Sequence, residues 1–163
     1  MKMKKILCVV LALSAIFCLA SCFSAKEKTF SKEGLTITLT DAFKEKEMEG
    51  FAVAYDSPTV AVFAIKEGYD LFDDAEDMTL EEYGALVYAA NSSKTKDAPA
   101  QKNGVYCMEY DFTNPEENES FHYVVAVYKG SDAFWTISIA CRTDDFSKLE
   151  SDMFAYAKSV KVD

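Results

Sequence analysis

Positions 35–39 read Leu-Thr-Ile-Thr-Leu, an alternation that buries one face of a strand, and Gly34 supplies the turn before it. Two further strands are predicted at 51–56 and 59–65, joined by a tight turn at Ser57-Pro58. The second is almost wholly apolar, as a strand buried on both faces is. The period then changes. Thr79-Leu80-Glu81-Glu82 has the spacing of a capping box, in which the Thr79 hydroxyl accepts a first-turn N–H and Glu82 reaches back. Leu80, Tyr83, Val87 and Ala90 follow at helical spacing. Gly84 costs that helix about 1 kcal/mol relative to alanine, which suits a place where the helix must come close to a strand. The polar stretch 91–102, with Pro99, predicts a connecting loop. Strands follow at 105–112, 121–128 and 134–141. The breaks between them, Asn114-Pro115 and Lys129-Gly130-Ser131-Asp132, are short turn sequences, so the three form an antiparallel meander. Phe146, Leu149, Met153, Tyr156 and Val160 share one face of a last helix, with Asp144 and Asp145 at its start, where the helix dipole favours them.

Strands, a helix, three strands and a helix make an α+β fold: an antiparallel β-sheet packed with helices. Three stretches resemble the PsbP-like fold, which also occurs in bacterial lipoproteins and in periplasmic DcrB-like proteins. They are Phe30-Ser-Lys-Glu-Gly-Leu-Thr-Ile-Thr-Leu, the helix opening at Thr79-Leu-Glu-Glu-Tyr, and Phe134-Trp-Thr-Ile-Ser-Ile closed by the last helix. The resemblance implies an α/β/α sandwich as a single domain over residues 30–163, with a binding or accessory role. A cystatin-like or nuclear-transport-factor-like α+β fold is the competing architecture.

The amino-terminal segment has a different pattern. Lys2, Lys4 and Lys5 precede an apolar run at 6–20 broken only by Ser14. That run is shorter than the roughly 20 residues a spanning helix needs, and its charged start and small-residue end describe an export signal. Leu19-Ala20-Ser21-Cys22 resembles the lipobox of bacterial lipoproteins. The resemblance implies a diacylglyceryl group on the Cys22 sulfur, cleavage between Ser21 and Cys22, and a lipidated tether over 22–29. The protein would then sit on the extracytoplasmic face of the cell membrane. The other reading is an ordinary secretory signal, or an uncleaved anchor, in which Cys22 is incidental. All but one of the 17 basic residues are lysine, the exception being Arg142. That bias points to a Gram-positive host of low GC content.

Charge narrows the partners. The 163-residue chain carries 27 acidic against 17 basic residues, a formal charge of −10. Without Lys2, Lys4 and Lys5 the remainder has 14 basic residues and a charge of −13. A nucleic-acid binder needs a basic face, so that class is excluded. One histidine and few cysteines exclude most zinc sites and a disulfide-stapled scaffold. Cys107 and Cys141 fall on the outer strands of the meander. With strands about 4.8 Å apart, that separation exceeds the roughly 7 Å Cα limit for a disulfide, which predicts two free, buried thiols.

The acidic loop from Asp70 to Asp77 lacks the ligand spacing of a calcium-binding EF-hand and reads as a solvated charge run entering a helix N-terminus. His122, alone on its strand, reads as a surface or satisfied core residue. Neither a G-x-S-x-G elbow nor a glycine-rich phosphate loop is present, so no catalytic residue, metal ligand or cofactor is assigned. Tyr106, Tyr110, Tyr123, Tyr128 and Trp135 read mainly as core under the helices, and Arg142 as the partner of a nearby acid. The expected function is non-catalytic recognition of an envelope protein or peptide by a membrane-anchored domain. Binding of a small solute or metal between sheet and helix is the alternative, and an envelope hydrolase the least favoured.

Overall fold

The computed structural model describes residues 25–92, 94, 95 and 97–163. Ser21 and Cys22, and with them the export signal and lipobox, lie outside the described residues. Among the described residues, ten strands and two α-helices follow in the order β1 (Glu27–Lys32), β2 (Leu35–Thr40), β3 (Lys44–Lys46), β4 (Val53–Asp56), β5 (Val60–Gly68), α1 (Leu80–Asn91), β6 (Ala100–Lys102), β7 (Val105–Asn114), β8 (Glu119–Lys129), β9 (Ala133–Arg142), α2 (Phe146–Ser159) and β10 (Lys161–Val162).

The strands form two antiparallel sheets. The larger has the order β3-β4-β5-β9-β8-β7-β6, and the smaller β1-β2-β10. The predicted meander is present as β7, β8 and β9, with Asp111 opposite His122 and His122 opposite Cys141. Strand alternation divides the large sheet into two apolar faces. Trp135, Ile137, Ile139 and Cys141 point to one side, where α2 lays Met153, Phe154 and Ala157 on them and β2 adds Leu35, Ile37 and Leu39. Phe134, Val125, Val127 and Met108 point to the other, where α1 covers them with Tyr83 and Val87. The result is an α/β/α sandwich whose α2 layer also holds the small sheet.

The structure departs from the sequence reading at several elements, among them the short strands β3 and β10, which it adds. β1 takes in Glu27, Lys28 and Thr29, residues that the sequence reading gave to the tether, because their backbone pairs with Thr40, Leu39 and Thr38. Ala100–Lys102, inside the predicted loop, pairs with β7. The 35–39 strand does not join the meander's sheet but pairs with β1 and β10.

Gly84 has the predicted reason. A Cβ built there would lie 2.8 Å from Tyr106 Cε1, so the absence of a side chain at 84 leaves room for the Tyr106 ring of β7 against α1. At the other helix Tyr128 Oη donates to the Ala157 carbonyl at 2.7 Å. The Ser159 hydroxyl accepts from Thr38 N–H at 2.9 Å, which ties the end of α2 to the small sheet.

Candidate functional site

The acidic segment leads from β5 into α1. Tyr69 begins a single 3-10 turn, Tyr69–Leu71, and its hydroxyl donates to the Gly130 carbonyl at 2.6 Å. Phe72 sits edge-on to Tyr83 and Phe134, and Ala75 is buried. Lys129 Nζ donates to the carbonyls of Glu76 and Met78 at 2.9 and 2.8 Å, beside the rings of Tyr69 and Phe134. The segment is therefore held on its inner side, and its side-chain carboxylates face out.

Asp73, Asp74, Asp77 and Glu82 line an open hollow of about 320 Å³ together with Met78 and Leu86. The capping box is formed: Glu82 N–H donates to Thr79 Oγ1 at 3.2 Å, and Thr79 N–H donates to Glu82 Oε2 at 2.8 Å. Those bonds from the Thr79 N–H and hydroxyl hold the Glu82 carboxyl below its ordinary value. Beyond Glu82, α1 reads Tyr-Gly-Ala-Leu-Val-Tyr-Ala-Ala with no charge. Tyr83, Gly84 and Val87 face the sheet, while Ala85, Leu86 and Ala89 are exposed. Leu86, at 40% exposure, and Leu71, at 54%, are the large hydrophobic residues left in solvent among the described residues.

The structure gives His122 two partners the sequence did not reveal. Its Nδ1 lies 2.8 Å from Asp111 Oδ1 and its Nε2 3.3 Å from Glu109 Oε2, with the ring stacked on Phe146 at 3.6 Å. Lys102 joins Glu109 at 2.7 Å and Glu150 at 3.7 Å. Each ring nitrogen already faces a carboxylate and Phe146 covers one face, so the cluster fastens β7, β8 and the start of α2. The missing signal was cross-strand register: Asp111 stands opposite His122, and Glu109 is on the same face two residues along.

The remaining candidates resolve into packing. Cys107 and Cys141 are free and buried, as predicted from their strands. Burial pushes both thiols up to about 11. Trp135 is fully buried against the α2 side, and Tyr106, Tyr110 and Tyr123 pack into the core under α1. Arg142 pairs with Glu119 at 2.7 Å. Tyr83 Oη donates to Glu67 Oε2 at 2.6 Å and shares a 2.8 Å bond with Thr136 Oγ1, so burial and the nearby carboxylate raise its ionisation well above the ordinary phenol range. A second open cleft, of about 550 Å³, lies among Lys32, Glu33, Lys46, Glu49, Phe51 and Lys66. Its lysines are matched with Glu45, Asp56 and Asp132.

No family model matches the chain, and no curated protein matches it. Solved structures do. The solution structure of cyanobacterial PsbP (CyanoP) from Synechocystis sp. PCC 6803 is similar over 89% of this chain and 99% of its own, with a TM-score of 0.57 at 12% identity. The fold is PsbP-like. A crystal structure of LpqN, described as involved in cell envelope biogenesis of Mycobacterium tuberculosis, is similar over 86% of this chain and 92% of its own, with a TM-score of 0.50 at 9% identity. At such identities the likeness establishes the PsbP-like architecture and leaves function to be argued from the chain itself.

Proposed function

We propose that this chain is a lipid-anchored envelope protein whose PsbP-like domain recognises a protein or peptide partner without catalysis. The observation that carries the reading is the outer face of α1, where Leu86 stands exposed beside carboxylates on a helix whose inner side, Tyr83, Gly84 and Val87, packs on the sheet. The Leu19-Ala20-Ser21-Cys22 sequence supports the anchor, and the envelope role in the description of LpqN supports the location. His122 and its carboxylates serve the fold in this reading, not a reaction.

Two measurements test it in a bacterial host. The full chain should incorporate labelled fatty acid and sediment with membranes, and Cys22→Ser should abolish the label. A variant that stays membrane-bound, with an unlabelled parent, would refute the anchor. A photo-reactive residue placed at Ala85 on α1 or at Ala155 on α2 should form a discrete protein adduct from one of the two positions. Absence of any adduct from both would refute the binding reading.

A further inference from the structure

A helix on a protein surface ordinarily turns charged or polar side chains to water. α1 does so only in its first turn, at Glu81 and Glu82; after that its exposed positions are Ala85, Leu86 and Ala89. The hollow beside it has Met78 and Leu86 as apolar lining and Asp73, Asp74, Asp77 and Glu82 as its acidic lining, with no basic side chain. Some carboxylates elsewhere find cations: Glu45, Asp56, Glu109, Glu119 and Asp132 stand in ion pairs. Asp73, Asp74, Asp77 and Glu82 stand in none among the described residues. Lys129, whose charge also acts on Glu82, has its ammonium bonded to the carbonyls of Glu76 and Met78 and does not close an ion pair with the rim.

We propose that the outer face of α1 from Glu82 to Ala89, with the carboxylates of Asp73, Asp74 and Asp77, docks a cationic segment of a partner protein that carries an aliphatic anchor. The inference rests on the binding reading above and names its surface and the partner's chemistry. Charge decides among occupants. A second copy would bring the same acidic rim and the same −10 chain, and an anionic lipid surface would be repelled. A lysine- or arginine-bearing segment gains both from the rim and from burial of its anchor against Leu86 and Met78. The rim would govern the association rate and its salt dependence, and the apolar contact the residence time.

The test uses the full chain in non-ionic detergent, with detergent alone as blank, and a short labelled peptide of lysines bearing two leucines. A leucine-free lysine peptide is the comparison. The leucine-bearing peptide should bind more tightly, and raising the salt should weaken it. Leu86→Glu, and separately the triple change Asp73→Asn, Asp74→Asn and Asp77→Asn, should each weaken binding by about tenfold or more. Ala155→Glu on α2 should leave it unchanged. Equal binding of both peptides, or wild-type binding by Leu86→Glu, would overturn the proposal. So would a dimer in sedimentation that Leu86→Glu dissolves, which would give the face to a second copy. If Leu86→Glu leaves the photo-adduct in cells intact, the surface is wrong and the binding reading survives. If the parent forms no adduct at all, the reading itself has failed.

Discussion

Gly84 and the two cysteines show how single residues record the packing around them. A side chain at position 84 must enter space held by the Tyr106 ring, whose edge would stand 2.8 Å from the new Cβ. The ring is partly buried against the core under α1, so moving it aside gives up packing there. Gly84→Val should destabilise the fold by about 1–3 kcal/mol in denaturant titration, although valine is the better helix former. A neutral or stabilising result would mean that the Tyr106 ring moves aside at no cost. Cys107 and Cys141 make a chemical version of the same point. Burial holds both protons, so the folded thiols ionise near 11 against an ordinary value of 9.0. The unfolded thiols lose their protons first. The contribution to stability is therefore complete below pH 9 and declines as the pH rises from there toward 11. At pH 8 an alkylating reagent should leave both residues unmodified in the folded chain and label both once urea unfolds it, with peptide mass mapping as the readout. Rapid labelling of either thiol without urea would contradict its burial.

Among the elements, α1 is set at its N-terminus and exposed along its length. The Thr79–Glu82 capping box satisfies orphan donors of the first turn, and Thr79→Ala should cost about 1 kcal/mol. Glu82 adds a pH dependence of known sign. Its carboxyl is held below the ordinary 4.5 by the Thr79 bonds, so its support is present above that value and is lost as the pH falls through the lowered one. The melting temperature of the parent should fall more steeply below pH 4.5 than that of Glu82→Gln, and parallel curves would remove Glu82 from the cap. This element was legible in the sequence because a capping box is a local signal, as were the strands of the meander, whose apolar runs are broken by turn residues. Helical spacing picked out the stripe that holds the buried Tyr83 and Val87, while the outer apolarity at Ala85, Leu86 and Ala89 was visible as letters and drew no assignment, since its exposure depends on where the sheet lies. β1 was missed because Glu27–Lys32 places only Phe30 and Lys32 in half-buried positions, and its side-chain contacts with β2, such as Ser31 with Thr36, depend on register. β6 is three exposed residues, too short to carry a period. The Glu109–His122–Asp111 cluster depended on register between two strands, which no local pattern encodes.

For the molecule as a whole, two cores share one sheet. α2 and the small sheet close one face, α1 and the acidic segment the other, and β9 contributes to both through alternate residues. The alternation at 35–39 foretold a buried face but not its counterpart, which is why the division into two sheets was not legible: Leu35, Ile37 and Leu39 meet α2 and the large sheet, not strand neighbours in the meander. The edges are built differently from the middle. β3 and β6, at the two rims of the large sheet, are three exposed residues each and bear lysine, a composition that discourages another strand from joining. Central β9 is buried on both faces, with Phe134, Trp135, Ile137 and Ile139 at no exposure. Opening β9 would break its pairing with β5 and β8 and uncover both cores, so its amides can exchange only through global unfolding. Amides of β3 and β6 need only local fraying, since each is held by a single neighbour. Native-state hydrogen exchange should therefore rank β9 with the facing residues of β5 and β8 as slowest, and β3 and β6 as orders of magnitude faster. The two cores should also respond together. Gly84→Val, which perturbs only the α1 side, should accelerate exchange in β9 by the same free energy that it costs in denaturant titration, because no opening of β9 spares the α2 side. Exchange that rises in α1 while β9 stays at its parental rate would show instead that the α1 layer detaches on its own, leaving the sheet and α2 as the cooperative unit.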